Sequence, residues 1–483
     1  MIRFAAVGYV LGQFLVALAG TMLIPALYGW IAGSEGLRGL LAGAAIASTF
    51  GGVSMLAAGR PRSELSRREG LLLAVAVWLA VGLFGSVPFY FSPHFGSFTD
   101  AFFEATSGFT TTGATILPQV EVLPPALQFW RCFTHWLGGM GIVLLGIAIL
   151  PLVGHGGMQL YRAEFSGASS ERLRPRIRET ALALWKIYLA LTFLLFVTLR
   201  AAGMNGFEAL CHTFSTLGTG GFSTRTASIA AFQNPLIEYI IIVFMLLAGM
   251  SFILHYRLWV ERNPSSFFGD VELRSYLIIV FGCTLVIGVV LAGGGTYEPA
   301  PAVRNALFQV ASVVTTTGFV TADFELWHPL PQLILLALMF VGGCTGSTAG
   351  GMKTSRILLL ARVVDREFKR MVERRGVFAV RLGGQVLDES TVQSLLNLVY
   401  LALLVNFASC LVLAAMGVDV LTSISAVAAS MFNVGPGLGS VGPSEHYGDL
   451  PALVKWVLAG CMIAGRLEFY TVLVILTPAF WRR

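Results

Sequence analysis

Apolar residues in this chain come in long runs separated by short polar stretches. Runs of roughly 20 apolar residues, the length a helix needs to cross the hydrocarbon core, can be placed at Phe4 to Trp30, Leu37 to Ala58, Leu71 to Phe91, Phe129 to Val153, Ala181 to Leu199, Leu236 to His255, Tyr276 to Ala292, Leu330 to Leu360 (interrupted), Leu395 to Met416 and Ala452 to Phe480. The pattern predicts ten transmembrane helices, two at the start and two in each of four similar units. Each unit also holds a piece too short to span: Ser97 to Phe109, Asn205 to Thr216, Pro301 to Val314 and Val420 to Phe432. These read as re-entrant helices dipping into the membrane from outside.

A strip of threonine and glycine follows each short piece. The first is Thr110-Thr111-Thr112-Gly113-Ala114-Thr115; the others are Gly218-Thr219-Gly220-Gly221-Phe222-Ser223, Thr315-Thr316-Thr317-Gly318-Phe319 and Asn433-Val434-Gly435-Pro436-Gly437. Their glycines lie roughly a hundred residues apart, the mark of an internal repeat. A second landmark keeps step with the first in Leu137-Gly138-Gly139-Met140, Leu247-Ala248-Gly249-Met250, Val341-Gly342-Gly343-Cys344 and Leu458-Ala459-Gly460-Cys461. The chain therefore divides into a two-helix preface (1–70), repeat 1 (71–160), repeat 2 (175–260), repeat 3 (272–362), a cytoplasmic loop (363–393) and repeat 4 (394–483). Non-helical backbone at membrane depth must be enclosed by protein or border water. The expected fold is an all-α polytopic membrane protein: four pseudo-fourfold repeats of helix, re-entrant pore helix, filter strip and helix around a single central pore.

Composition supports this reading, with 56% of residues hydrophobic, only 12% charged and a mean hydropathy of +0.77. A soluble domain carries about twice that charged fraction. Most Lys and Arg fall in Arg60 to Arg68, Arg162 to Arg178, Arg257 to Arg274, Arg362 to Arg381 and Arg482-Arg483, all on one side of the ten-span arrangement. By the positive-inside rule that side and both termini are cytoplasmic. The net charge of +6 is then a topology signal and implies no nucleic-acid partner. Acids including Asp100, Glu104, Glu121 and Glu208 collect on the outer side, either as solvated loop charges or as a mildly attractive field for cations. The six cysteines lack metal-ligand spacing, and the seven histidines form no catalytic set, so the chain reads as no enzyme.

Glycine in the strips has a physical reason. It adopts positive φ without steric cost, which lets successive carbonyls face a pore. The negative ends of the short helices would point the same way. Carbonyls and hydroxyls without a carboxylate suit a monovalent alkali cation. The candidate ion ligands are Thr111, Thr112 and Gly113; Thr219, Gly220 and Gly221; Thr316, Thr317 and Gly318; and Asn433, Val434 and Gly435. In the second strip Gly221 is preferred to Gly220, because an ungapped match sets Gly221-Phe222 on Gly318-Phe319. Repeat 3 also carries Gly342 to Gly351, where half the residues are glycine, each costing about 1 kcal/mol in a helix relative to alanine. That segment, 342–351, is expected to break its helix, either as a plug below the strips or as a packed kink. Lys353, Arg356, Arg466 and Glu468 stand at comparable depth. Arg466 would hold the loop, place a positive barrier, or pair with Glu468.

The unit of helix, re-entrant helix, strip and helix resembles the Trk/Ktr/HKT superfamily of potassium transporters. The preface, Thr110 to Thr115, Gly342 to Arg356, Asn433 to Gly439 and Gly465 to Glu468 resemble its bacterial TrkH/TrkG branch. The resemblance implies potassium uptake across the bacterial cytoplasmic (inner) membrane, with K+ bound at the strips. A glycine at 113, where some sodium-transporting plant relatives have serine, argues for potassium. It implies a mobile intramembrane gate made from Gly342, Gly343, Thr345, Gly346, Ser347, Gly350, Gly351 and Lys353, contacted by Arg466. It also implies a homodimer and, docked on the cytoplasmic loop, a nucleotide-binding regulatory ring (TrkA-like). This chain has no nucleotide motif or cofactor site of its own, and its basic loop also suits anionic membrane lipid. Proton- or sodium-coupled symport is the alternative to channel-like permeation.

Overall fold

The computed structural model describes residues 2–61, 63, 65–153, 177–374, 376–383 and 385–482. The basic stretch expected from Arg162 lies outside these residues up to 176, as do His155, the expected repeat boundaries at 160 and 175, and Arg375 and Arg483.

Helices α1 (Phe4–Ile31) and α2 (Leu37–Ala58) form an antiparallel pair. Their backbones meet through glycine: a Cβ on Gly12 would lie 2.6 Å from the Gly51 carbonyl oxygen, and one on Gly51 would lie 2.7 Å from that of Gly12. Small residues let helices approach where no water drives them together. Helix α3 (Arg67–Gly85) opens on a Ser66/Glu69 capping box, and Glu69 also pairs with Arg3 at 2.7 Å.

The first short helix, α4 (Phe98–Phe109), is followed by α5 (Pro125–Val153), α6 (Ile177–Ala201) and the second short helix, α7 (Gly206–Leu217). Next come α8 (Pro235–Gly249), α9 (Phe252–Trp259), α10 (Val271–Gly293) and the third short helix, α11 (Pro299–Val314). Then follow α12 (Pro329–Val341), α13 (Thr354–Val372), α14 (Glu389–Ala415), the fourth short helix α15 (Val420–Met431), α16 (Ala452–Arg466) and α17 (Phe469–Leu476), before a last turn of helix at Pro478–Trp481. Side chains of Ser97, Asn205 and Asp419 cap α4, α7 and α15, and Pro299 starts α11. Every residue of α4 from Ala101 to Phe109 is buried, as a helix surrounded by protein requires.

Among the described residues six helices are long and apolar enough to cross a membrane, or eight if each bent pair counts as one span. The bends differ from the continuous runs expected over Leu236 to His255 and Ala452 to Phe480. α8 and α9 meet at 98°, and α16 and α17 at 116°. Each break falls at a residue whose local backbone a hydropathy average hides: Ser251, just before α9, is extended, and Glu468 has φ of +57°. The expected all-α cytoplasmic loop also holds a two-residue ribbon of β1 (Arg381–Leu382) and β2 (Gln385–Val386).

Candidate ion-permeation site

The last turn of each short helix closes in the same way. The N–H groups of Thr112, Gly220, Thr317 and Val434 return to the carbonyls five residues earlier, at Ser107, Ser215, Ser312 and Ala429, over 2.8–2.9 Å. This closure needs a left-handed residue just before the donor. Thr111, Thr219, Thr316 and Asn433 take that conformation, with φ of 56°, 53°, 53° and 56°. Left-handed non-glycine residues are strained and persist only where the surroundings over-determine them. Two positions later Gly113, Gly221, Gly318 and Gly435 have φ of 83°, 80°, 78° and 100°. Gly220 is absent from the positive-φ residues, so Gly221 is the geometric counterpart of the other three.

Each of these glycines faces the carbonyl just before the next strip's glycine, in a closed ring. A Cβ on Gly113 would lie 2.0 Å from the Gly220 carbonyl oxygen, one on Gly221 2.0 Å from that of Thr317, one on Gly318 2.1 Å from that of Val434, and one on Gly435 2.6 Å from that of Thr112. All four glycines line a single cavity of about 80 Å³, which Pro443, Ser444 and Glu445 also border.

A further layer of side chains holds the strips from behind, and sequence reasoning did not find it. Glu104, His212 and Gln309 each stand nine residues before their strip glycine and reach the chain just after it. Glu104 accepts from the Thr115 hydroxyl and the Ile116 N–H, both at 2.9 Å; His212 Nε2 meets Ser223 Oγ at 2.9 Å; Gln309 reaches Thr321 and Ala322 at 3.5 Å. In the fourth unit Ser425 receives the Leu438 N–H at 2.9 Å. A polar residue at one fixed offset on otherwise buried helices was the available signal. Glu104 was grouped with the outer loop charges, and the structure corrects this: it is fully buried and pairs with Arg131 at 2.6 Å. Arg131 also donates to the Ser223 carbonyl at 2.9 Å and lies 3.5 Å over the Phe222 ring, which ties the first strip to the second.

Below the strips the chain between α12 and α13 is non-helical, with positive φ at Gly342, Gly346, Gly351 and Lys353. Its far end touches the strips: Gly350 N–H donates to Thr316 Oγ1 at 2.6 Å, and Gly351 N–H to the Phe432 carbonyl at 3.1 Å. Gly342 and Gly343 lie at its near end against Gly351 and Ala349. Ser347 bonds back to the Cys344 carbonyl at 2.6 Å, and Lys353 reaches the Ala349 carbonyl. Thr345 and Gly346 face away from the strips, towards Glu272 and Phe252. Arg466 donates to the Thr348 carbonyl at 3.0 Å and to the Gly138 carbonyl at 2.9 Å. Glu468 pairs with Arg356 at 2.6 Å. Sequence reasoning also missed Glu272 at the start of α10, which accepts the N–H groups of Thr345 at 2.7 Å and Ser355 at 2.9 Å. A cavity of about 40 Å³ lies beneath the loop, bordered by Gly346, Ser347, Lys353 and Arg466.

One landmark shifts. A Cβ on Gly138 would lie 2.0 Å from the Phe109 carbonyl oxygen at the end of α4, and the matching contact in unit four is Gly465, 1.7 Å from that of Met431. Gly460, expected there, faces open space. The chain after the fourth strip is longer, so equal spacing from the strip misplaces the contact by a turn of helix.

Residues 38–482 match the family model TrkH, described as a cation transport protein. The Trk system potassium uptake protein TrkH of Halomonas elongata is 41% identical over 98% of both chains, and that of Escherichia coli K12 is 40% identical over 99% of this chain and 100% of its own. TrkG of Escherichia coli K12 is 35% identical over 87% of this chain and 86% of its own. The crystal structure of the potassium transporter TrkH from Vibrio parahaemolyticus, 39% identical, superposes over the full length of both chains with a TM-score of 0.91. Matches of this coverage include the preface, all four strips and the interrupted helix, and the chain belongs to the TrkH family of cation transport proteins, in the TrkH/TrkG branch of the Trk/Ktr/HKT superfamily.

Proposed function

We propose that this protein takes up potassium across the bacterial cytoplasmic membrane through the four-strip ring, with the 342–351 loop as its gate. The observation that carries the reading is the closed ring of Gly113, Gly221, Gly318 and Gly435 around one cavity. Positive φ at each glycine permits carbonyls to face the axis, and the C-terminal ends of α4, α7, α11 and α15 add negative potential. A cation that leaves water there exchanges hydration for carbonyl and threonine oxygens. The repeats would surround the ring as four pseudo-fourfold units of one ten-helix pore, with both termini cytoplasmic. The named potassium uptake of the relatives agrees with this chemistry.

The loop would close the path because its backbone touches the underside of the ring at Thr316 and Phe432. Arg466 holds it through Thr348 and Lys353 through Ala349. A homodimer with a cytosolic nucleotide-binding ring (TrkA-like) docked near α13 would supply regulation, since the relatives are named as parts of a Trk system. The buried carboxylates argue for channel-like permeation over proton- or sodium-coupled symport. Glu104 is paired with Arg131, Glu238 with Arg304, and Glu272 is engaged by the loop's N–H groups.

Flux of purified protein in liposomes under potassium, rubidium and sodium gradients tests the reading, repeated with Gly113→Ser. Potassium and rubidium should pass well ahead of sodium, and the variant should lose that preference. Equal flux for all three, or flux only under a proton gradient, would exclude a potassium-selective pore.

A further inference from the structure

The four strips share one backbone but are braced in two different ways. In the first, Thr110 Oγ1 meets Thr112 Oγ1 at 2.8 Å; in the third, Thr315 Oγ1 meets Thr317 Oγ1 at 2.7 Å. The corresponding positions in the second strip are Gly218 and Gly220, and in the fourth Phe432 and Val434, so neither can form this pair. Each is held instead by a ring from elsewhere in the chain. His135 of α5 stacks on Phe222 with ring centroids 4.1 Å apart, and its Nδ1 accepts the Phe222 N–H at 3.3 Å. In the fourth strip the Tyr447 hydroxyl donates to the Gly435 carbonyl at 2.7 Å.

Tyr447 is buried, packs on Phe103 of α4 with ring centroids 5.5 Å apart, and donates its own N–H to the Thr115 carbonyl at 2.8 Å. It therefore bridges the seam between strips four and one. Asn433 Nδ2 crosses the same seam to Thr112 Oγ1 at 2.9 Å, and a Cβ on Gly435 would stand 2.6 Å from the facing carbonyl, against 2.0–2.1 Å at the other three glycines. Among the described residues no hydrogen bond reaches the carbonyl oxygens of Gly113, Gly221 or Gly318. Tyr447 comes from the longer fourth loop, in which α16 starts 17 residues after Gly435; α5, α8 and α12 start 12, 14 and 11 residues after their glycines.

We propose that Tyr447 is a positioning residue that determines ion specificity: its hydroxyl pins the Gly435 carbonyl and keeps the fourth-strip side of the ring from closing on a cation smaller than potassium. The inference rests on the strips being a potassium filter. A smaller cation needs its ligands drawn inwards, and a carbonyl held by a buried hydroxyl must break that bond to follow.

Tyr447→Phe removes the hydroxyl alone and keeps the ring against Phe103 and the main-chain bond to Thr115. With the full-length variant in liposomes, the potassium-to-sodium permeability ratio should fall by about three- to tenfold, the value of one net hydrogen bond, while potassium flux in sodium-free medium persists. An unchanged ratio beside an altered one in Gly113→Ser overturns the role of Tyr447 and leaves the filter standing. An unchanged ratio in both variants overturns the filter reading and this inference with it. Loss of all flux from a monodisperse Tyr447→Phe protein also overturns it, because the hydroxyl would then serve permeation itself.

Discussion

A methyl group on Gly318 would lie 2.1 Å from the Val434 carbonyl oxygen, at a φ of +78°. The left-handed conformation alone costs alanine about 1–2 kcal/mol, and backbone facing backbone cannot yield as a side chain does. Gly318→Ala should abolish selective flux and lower the melting temperature in detergent. Gly282→Ala is the matched control: its Cβ would meet nothing, it sits mid-helix in α10, and it should gain about 0.5–1 kcal/mol. Arg131 behaves differently, because it compensates a buried charge. Arg131→Met leaves Glu104 unpaired, which should cost about 3–5 kcal/mol by thermal unfolding. Adding Glu104→Gln should recover part of that loss, since glutamine can still accept from the Ile116 N–H. No recovery would mean that Arg131 acts through Phe222 and Ser223 instead.

At the scale of elements, the segment between α12 and α13 is held by hydrogen-bond partners on several other elements, most of them acceptors for its own N–H groups. Arg466 from the end of α16 donates to Thr348 within the loop and to Gly138 on α5. Hydrogen bonds from a charged group contribute about 1.5–3 kcal/mol. Arg466→Ala should therefore release the loop and raise potassium flux by roughly tenfold, read as rubidium uptake into liposomes. Unchanged flux in a well-folded variant would remove Arg466 from the gate. The glycine run made the helix break legible in the sequence, since so many glycines oppose a continuous helix. The partners of the loop were not legible: Glu272 lies some 70 residues upstream of Thr345, in what reads as an ordinary first helical turn.

For the whole molecule, the asymmetry of basic residues predicts which face meets the cytoplasm. Val377 is fully exposed in the expected cytoplasmic loop, and Leu326 is 81% exposed on the strip-entry side. In right-side-out vesicles a membrane-impermeant maleimide should label Leu326→Cys and spare Val377→Cys, with the reverse in inside-out vesicles. Labelling of both from one side would overturn the arrangement. The native cysteines, buried or half-buried, give a low background.

Local composition by itself determined a great deal here. Run length gave away the long helices, repeated spacing picked out the four strips, and glycine content marked the break at 342–351, because each reflects a cost that a short stretch of chain carries on its own. Only the tertiary structure decided which residues support the strips. Glu104 looked like a loop acid until α4 was buried and Arg131 of α5 came within 2.6 Å of it. Tyr447 sits in a loop with no motif, and its hydroxyl acquires a role only once the fourth strip is beside it. The bends at Gly249 and Arg466 were invisible to hydropathy, which averages over the few residues where a helix turns aside. Such contacts join residues hundreds of positions apart, and their energies depend on burial that no local window contains.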